Sequence, residues 1–266
     1  WVFDKPIGDK DRAAANHHGL PDTDSTPDTI NHKNALYEIY QLADPDFTGR
    51  VTVPVLWDTK HAQIVSNESA DIIRMFNIAF DELGARPGDY YPSDKREEID
   101  LLNERIYSTV NNGVYKAGFA KSQSAYDSAV EDLFDTLSWL ETRLARQRFL
   151  LGDESTEADW RLLPTLLRFD AIYALHFKCS KRRIIDFPNL WAYTRDLYQH
   201  PGIADTFRLA PTMQHYYTSH PEINPTGIVA RAPAMQLDAP HHRQGLTADP
   251  DSQLTEDAGV IAPRPV

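Results

Sequence analysis

Arg50–Phe76 reads RVTVPVLWDTKHAQIVSNESADIIRMF. Val51–Trp57 alternates as a strand but carries Pro54, which removes a ladder donor and so needs a special reason inside a strand. A polar turn leads to a second short strand, Gln63–Ser66. Asn67 then opens a helix that the spacing extends to Leu83, with Ile72, Phe76, Ala79, Phe80 and Leu83 on one face. Two strands, a turn and a helix starting at an acid–hydroxyl pair make an arrangement able to hold a small anionic peptide.

Upstream, Asn34–Ala43 places Leu36, Ile39, Tyr40 and Ala43 at helical spacing, and Asp44–Gly49 (DPDFTG) ends that helix in a turn. Before it, the polar, Gly/Pro/Asp-rich run from Gly8 to about Thr29 reads as a long loop. From about Pro92 the pattern changes to long helices. Asp94–Val110 carries Ile99, Leu102, Ile106 and Val110. Ala125–Arg146 carries Tyr126, Val130, Leu133, Leu137, Leu140 and Leu144. Gly152–Asp159 begins a third helix, with Thr156 as cap and Asp159 reaching back. It continues through a buried run, Trp160–Leu175, in which Pro164 predicts a kink. Asn189–Gln199 is a shorter helix. After about Gly227 periodicity ends, and Arg231–Val266 reads as a largely disordered acidic tail.

The chain has 266 residues, 41% hydrophobic and 25% charged, with a net charge of −12. These values suit a soluble globular protein and argue against a nucleic-acid or acidic-membrane partner. No apolar run approaches the ~20 residues of a membrane span. A single cysteine, Cys179, excludes an internal disulfide framework and fits a reducing compartment. The histidine pairs His17-His18, His241-His242 and His215/His220 lack carboxylate or thiol company at ligand spacing. They are read as solvated, and no metal site is assigned.

The residues that point to a ligand are Val53-Pro54 and Asn67-Glu68-Ser69. A cis proline at the start of a strand would leave the N–H and C=O of Val53 facing a cleft, able to bond a peptide laid alongside as an added strand. The start of the following helix offers free N–H groups and a positive dipole end to a carboxylate. Ser69 adds a hydroxyl donor, and Glu68 can accept from an ammonium group. A ligand with an α-amino acid at one end and a peptide backbone in the middle matches, and glutathione is such a ligand. Physics alone leaves an equal alternative, in which Pro54 is an edge-strand proline and Ser69 merely belongs to a helix cap.

The strings TVPVLWD and IVSNESADIIRMFN, then LGARPGDYYP, IYSTVNNGVYKAGFAKSQSAYDSAV, RFDAIYALHFKC and HYYTSHPEINPTGIV, resemble the Xi class of glutathione transferases, the glutathionyl-hydroquinone reductases. The resemblance runs from about Tyr37 to Val229. It implies a partial thioredoxin-like α/β domain over residues 1–88, followed by an all-α glutathione-transferase C-terminal domain over 89–230 and the tail 231–266. Val53 resembles the residue whose backbone pairs with the cysteinyl part of glutathione, and Glu68 and Ser69 the pair that holds its γ-glutamyl end. Trp1 resembles a tryptophan lining the glutathione site. Arg50 is placed toward the glycyl carboxylate, although an exposed arginine flanking a strand is the plainer reading. Tyr115, Tyr173 and Tyr216 resemble the tyrosines around the quinol pocket.

The resemblance further implies glutathione as co-substrate, a cytoplasmic homodimer and a cysteine nucleophile in a Cys-Pro-Trp-Ala type motif. That motif is not in this sequence. The expectation is therefore a chain missing the first βαβ unit, without a catalytic residue of its own, inactive as it stands and weakly held in its α/β part. Cys179 is not expected to substitute, although Lys178, Lys181, Arg182 and Arg183 nearby would lower a thiol pKa. The alternative reading is a non-catalytic glutathione- or quinol-binding fragment or an interaction module. A transferase that activates glutathione's own thiol through a Ser or Tyr is a third.

Overall fold

The computed structural model describes residues 27–246. They form two compact units. One comprises residues 27–89 together with Ala210–Val229, and the other Tyr90–Leu209 with the described residues from Ala230 onward. Trp1, most of the Gly8–Thr29 loop and the second half of the expected tail lie outside the described residues.

The first unit opens with α1 (Leu36–Ala43), which buries Leu36, Ile39 and Tyr40. Its first turn is held by Glu38, whose carboxylate accepts the N–H groups of Asn34 (3.0 Å) and Ala35 (2.9 Å). An antiparallel hairpin follows, β1 (Leu56–Asp58) with β2 (Gln63–Ser66), in the register Leu56↔Ser66 and Asp58↔Gln63. Asp58 closes the turn by accepting the N–H groups of Lys60 (2.8 Å) and His61 (3.0 Å), as a turn aspartate does. The strand expected over Val51–Trp57 is thus much shorter. Among the described residues β2 pairs no further back than Leu56, and Pro54 has no N–H to give a ladder.

The expected helix Asn67–Leu83 is α2 (Ser69–Ile78) followed by a single 3-10 turn, Asp81–Leu83. Of its apolar face Ile72 is buried, whereas Phe76, Phe80 and Leu83 are exposed.

The regular elements of the second unit are helices: α3 (Arg96–Ile106), α4 (Gly113–Gly118), α5 (Gln123–Leu144), α6 (Glu157–Arg168), α7 (Ala174–His176) and α8 (Pro188–Tyr198). The period-3.6 leucines do what their spacing requires, since Leu133, Leu137, Leu140 and Leu144 of α5 are fully buried. Ser122 caps α5 by accepting the Ala125 N–H at 3.2 Å. Glu141 of α5 takes the N–H groups of Asn189 (3.0 Å) and Leu190 (2.7 Å), satisfying free donors at the start of α8.

Two stretches widen to π-helical hydrogen bonding, Tyr107–Asn111 after α3 and Phe169–Tyr173 between α6 and α7. Asn111 of the first donates to the Arg161 carbonyl (3.0 Å) and accepts from the Thr165 hydroxyl (3.1 Å), fastening that bulge to α6. α9 (Leu209–Ser219) runs on from this unit into the segment that groups with the first.

Part of the expected tail is packed. Residues 230–246 have no regular secondary structure, yet Met235, Leu237, His241 and Arg243 are buried. Gln199 donates to the carbonyls of Leu237 (2.7 Å) and Ala239 (2.8 Å). The Arg243 guanidinium donates to those of Leu144 (2.9 Å), Gln147 (2.6 Å) and Arg148 (2.9 Å). These are carbonyls at and beyond the end of α5, where a cation complements the helix dipole. A segment without hydrophobic periodicity is held here by backbone-directed side chains, a pattern that composition does not reveal. His241, read as solvated, is 8% exposed and 3.6 Å from Asp196.

Candidate functional site

In the first unit, Val53-Pro54 is a cis peptide. Val53 is 55% exposed, and among the described residues neither its N–H nor its C=O is hydrogen-bonded. The residue before it is held firmly. The Tyr40 hydroxyl donates to the Thr52 carbonyl (2.8 Å) and accepts the Thr52 N–H (3.3 Å). A side chain thereby occupies one side of Thr52 as a neighbouring strand would. Successive residues of an extended chain turn their N–H and C=O to opposite sides, which leaves the Val53 pair for a partner on the other side.

Glu68 is the N-cap of α2, and its own N–H goes to the Ser66 hydroxyl at 3.1 Å. Its carbonyl accepts the N–H groups of Asp71 (3.1 Å) and Ile72 (3.0 Å). The N–H groups of Ser69 and Ala70 have no acceptor among the described residues, as expected for a first helical turn. The side chains of Glu68 and Ser69 are both exposed. Arg50 is exposed as well, on the chain leading to Val53.

These two half-sites meet at Asn67. Its side-chain amide donates to the Tyr40 hydroxyl (3.0 Å) and to the Thr52 hydroxyl (3.2 Å). The residue before Val53 and the residue before Glu68 are therefore fastened to the same phenol. Sequence reasoning placed Tyr40 in the helix core and Asn67 at a helix start and found no polar role for either. Tyr40 sits inside an apolar 3.6 pattern, which hides a buried hydroxyl with work to do.

The second unit brings aromatic rings together. Tyr115 of α4 lies 6.0 Å from Tyr173 and 5.3 Å from Phe177, centroid to centroid. Tyr173 and Phe177 stack at 5.5 Å with 16° between planes, and Phe119 lies 5.4 Å from Phe177. Tyr173 and Phe177 are buried and Tyr115 is half-buried, so Tyr115 is the more accessible face of the cluster. Gly118 makes the approach possible, because a Cβ there would stand 2.4 Å from the Phe177 ring. Phe119, Phe177 and Gly118 were not singled out from sequence. The motifs NNGVYKAGFA and HFKC that contain them were the available signal. Tyr216 belongs to the other unit, flanked by the rings of His215 (5.7 Å) and His220 (5.9 Å).

Cys179 is fully buried, and burial pushes its thiol up to about 12. Loss of solvent sets this shift, despite the basic residues nearby in sequence. Among the described residues no group of three or more His, Cys, Asp or Glu side chains is placed to hold a metal ion.

Two family models match the chain, the glutathione S-transferase N-terminal domain over residues 6–78 and the C-terminal domain over 123–196. Glutathionyl-hydroquinone reductase PcpF of Sphingobium chlorophenolicum is 55% identical over 218 residues, 82% of this chain and 70% of that protein. Glutathionyl-hydroquinone reductase YqjG of Escherichia coli K-12 is 57% identical over 219 residues, 82% of this chain and 67% of that protein. The chain belongs to the Xi class of glutathione transferases. The glutathione-bound structure of YqjG superposes with a TM-score of 0.83 at 54% identity, covering 86% of this chain and 74% of that one. The Xi-class transferase from Natrialba magadii gives 0.83 at 48% identity, covering 85% and 71%. The fold of this Xi-class chain is accordingly a thioredoxin-like N-terminal domain with an all-α C-terminal domain.

Proposed function

We propose that this Xi-class chain acts in the glutathione-dependent reduction of glutathionyl-hydroquinones. The observation that carries the reading is the pair of open half-sites fastened through Tyr40, the Val53 backbone and the Glu68-Ser69 helix start. Their chemistry fits glutathione. Val53 offers an N–H and a C=O to the cysteinyl backbone, in the manner of an added strand. The free N–H groups of Ser69 and Ala70, with the Ser69 hydroxyl, suit the γ-glutamyl carboxylate, and Glu68 suits its ammonium. Arg50 is assigned to the glycyl carboxylate. Tyr115 offers its ring and hydroxyl to a phenolic product, with Tyr173 behind it.

In the net reaction the thiol of glutathione forms a disulfide with the sulfur of the glutathionyl-hydroquinone, the carbon–sulfur bond breaks, and the hydroquinone leaves with a proton on that ring carbon. The residues described above bind and orient; none of them attacks sulfur. A second reading has an observation of its own, because the single cysteine is buried and held in its thiol form. On that reading the 266-residue chain binds glutathione and the hydroquinone without turning them over. The compartment proposed is the cytoplasm and the assembly a homodimer, which light scattering on the purified chain would check. Among the described residues no helix is long and apolar enough to cross a membrane.

The test is calorimetric titration of the chain with glutathione, followed by a turnover assay with a glutathionyl-hydroquinone. Binding that is lost in Glu68→Gln and Ser69→Ala supports the site. Turnover by the chain itself removes the second reading, binding without turnover removes the first, and absence of binding removes both.

A further inference from the structure

We infer that Tyr40 and Asn67 are positioning residues that set the spacing between the two halves of the glutathione site. The inference rests on the glutathione reading above and goes beyond it by naming what holds the halves in register. Neither side chain is assigned a contact with ligand. Both act through the residue that precedes a binding residue.

The hydrogen-bond inventory is complete around one atom. The Tyr40 hydroxyl has one hydrogen, given to the Thr52 carbonyl at 2.8 Å. Its oxygen accepts from the Thr52 N–H at 3.3 Å and from the Asn67 amide at 3.0 Å, which fills its two acceptor positions. The second amide hydrogen of Asn67 goes to the Thr52 hydroxyl at 3.2 Å. The Thr52 backbone and the Asn67 side chain thus have no slack relative to each other. Val53 follows the first directly and Glu68 the second. Tyr40 is 5% exposed, and its ring packs on Phe47 at 4.9 Å, so the phenol is fixed from the core side.

A ligand that engages both halves gains over its separate pieces only while their separation matches the ligand. Loosening the fastening should weaken the whole ligand more than either piece. Glutathione is the whole ligand. γ-Glutamylmethylamide carries only the part suited to Glu68-Ser69, and cysteinylglycine only the parts suited to Val53 and Arg50.

The experiment measures dissociation constants of all three compounds, by NMR titration, for the unsubstituted chain, Tyr40→Phe and Asn67→Ala. Asn67 is half-buried rather than core, so its variant serves if Tyr40→Phe does not fold. The expected result is glutathione weakened about tenfold in both variants, with each fragment within about twofold of its original value. A purely structural role would weaken fragments and glutathione alike, and that outcome overturns the inference. So does glutathione binding that both variants leave unchanged. If the unsubstituted chain does not bind glutathione, the glutathione reading and this inference fall together, a result distinct from intact binding insensitive to the two substitutions.

Discussion

The hydroxyl of Tyr193 donates to Oδ1 of Asp159 at 2.8 Å, and both side chains are fully buried. Asp159 also accepts the N–H groups of Leu150 (2.9 Å) and Thr156 (2.8 Å), joining the start of α6, the loop before it and α8 through one carboxylate. Burial drives its pKa above the usual carboxylate range, against the pull of these donors. The Thr156 hydroxyl donates to it as well (3.1 Å), so Asp159→Ala leaves four donors without this acceptor in the core. The expected loss is about 3–5 kcal/mol, as for other broken buried networks, whereas Tyr193→Phe should cost about 1 kcal/mol. Urea denaturation of the two variants checks the order as well as the size.

Gly118 faces the ring of Phe177 so closely that an added methyl has nowhere to go. Gly118→Ala must displace that ring, at about 1–3 kcal/mol for an overpacked core. The stack of Tyr173 on Phe177 and the position of Tyr115 should change with it. Near-ultraviolet circular dichroism would register the aromatic rearrangement, and on the proposed function the variant should weaken hydroquinone binding while sparing glutathione. An unchanged aromatic spectrum would contradict the packing described.

The sequence was most readable where one periodicity covered a whole element. The leucines of α5 announced both the helix and its buried face, and the Thr156/Asp159 pair announced the start of α6. It was least readable where one residue does two jobs. Tyr40 satisfies the apolar pattern of α1 and hides a hydroxyl that fastens two loops. Val51–Val55 alternates like a strand, yet a strand needs a partner, and alternation says nothing about who the partner is. Residues 231–246 lack any period because their attachment runs through Arg243 and through the carbonyls that accept from Gln199, not through an apolar face. The open backbone at Val53 and the helix start at Glu68-Ser69 could be argued from Pro and cap residues. Phe177 could not, because a buried phenylalanine in an apolar run looks like any other.

The packed strap 231–246 should respond to acid. His241 Nδ1 accepts the Arg243 N–H at 3.2 Å, and Nε2 lies near the amide of Gln244 (3.1 Å) and Asp196 (3.6 Å). Burial lowers its pKa below the usual 6.5, Asp196 works in the opposite direction, and Arg148, Arg243 and Arg195 add to the lowering. A base whose folded pKa is depressed gives stability that is present above its unfolded pKa and lost as pH falls through the folded one. The strap should therefore hold at pH 7 and loosen as the pH falls below the ordinary histidine value of 6.5. Hydrogen exchange of residues 235–246 should rise over that interval, and His241→Gln should flatten the response. Arg243→Ala should release the strap at every pH, since the carbonyls of Leu144, Gln147 and Arg148 lose their shared donor.

Cys179 provides the last test, and its chemistry bears on the second functional reading. Its thiol is 0% exposed, its N–H is bonded to the Tyr173 carbonyl at 3.0 Å, and its pKa is raised from 9.0 to about 12. A raised acid pKa contributes stability fully below the unfolded value, and that contribution drains away as pH climbs through the folded one. Between pH 7 and 9 the folded chain should hold this thiol protonated and closed to reagents. Iodoacetamide at pH 8 is expected to leave it unmodified in the native protein and to alkylate it in urea, as intact mass would show. Cys179→Ser should bury a hydroxyl in place of the thiol, cost about 1–2 kcal/mol, and leave glutathione binding unchanged. Rapid native alkylation would instead mean that Cys179 reaches solvent, and would reopen it as a candidate nucleophile.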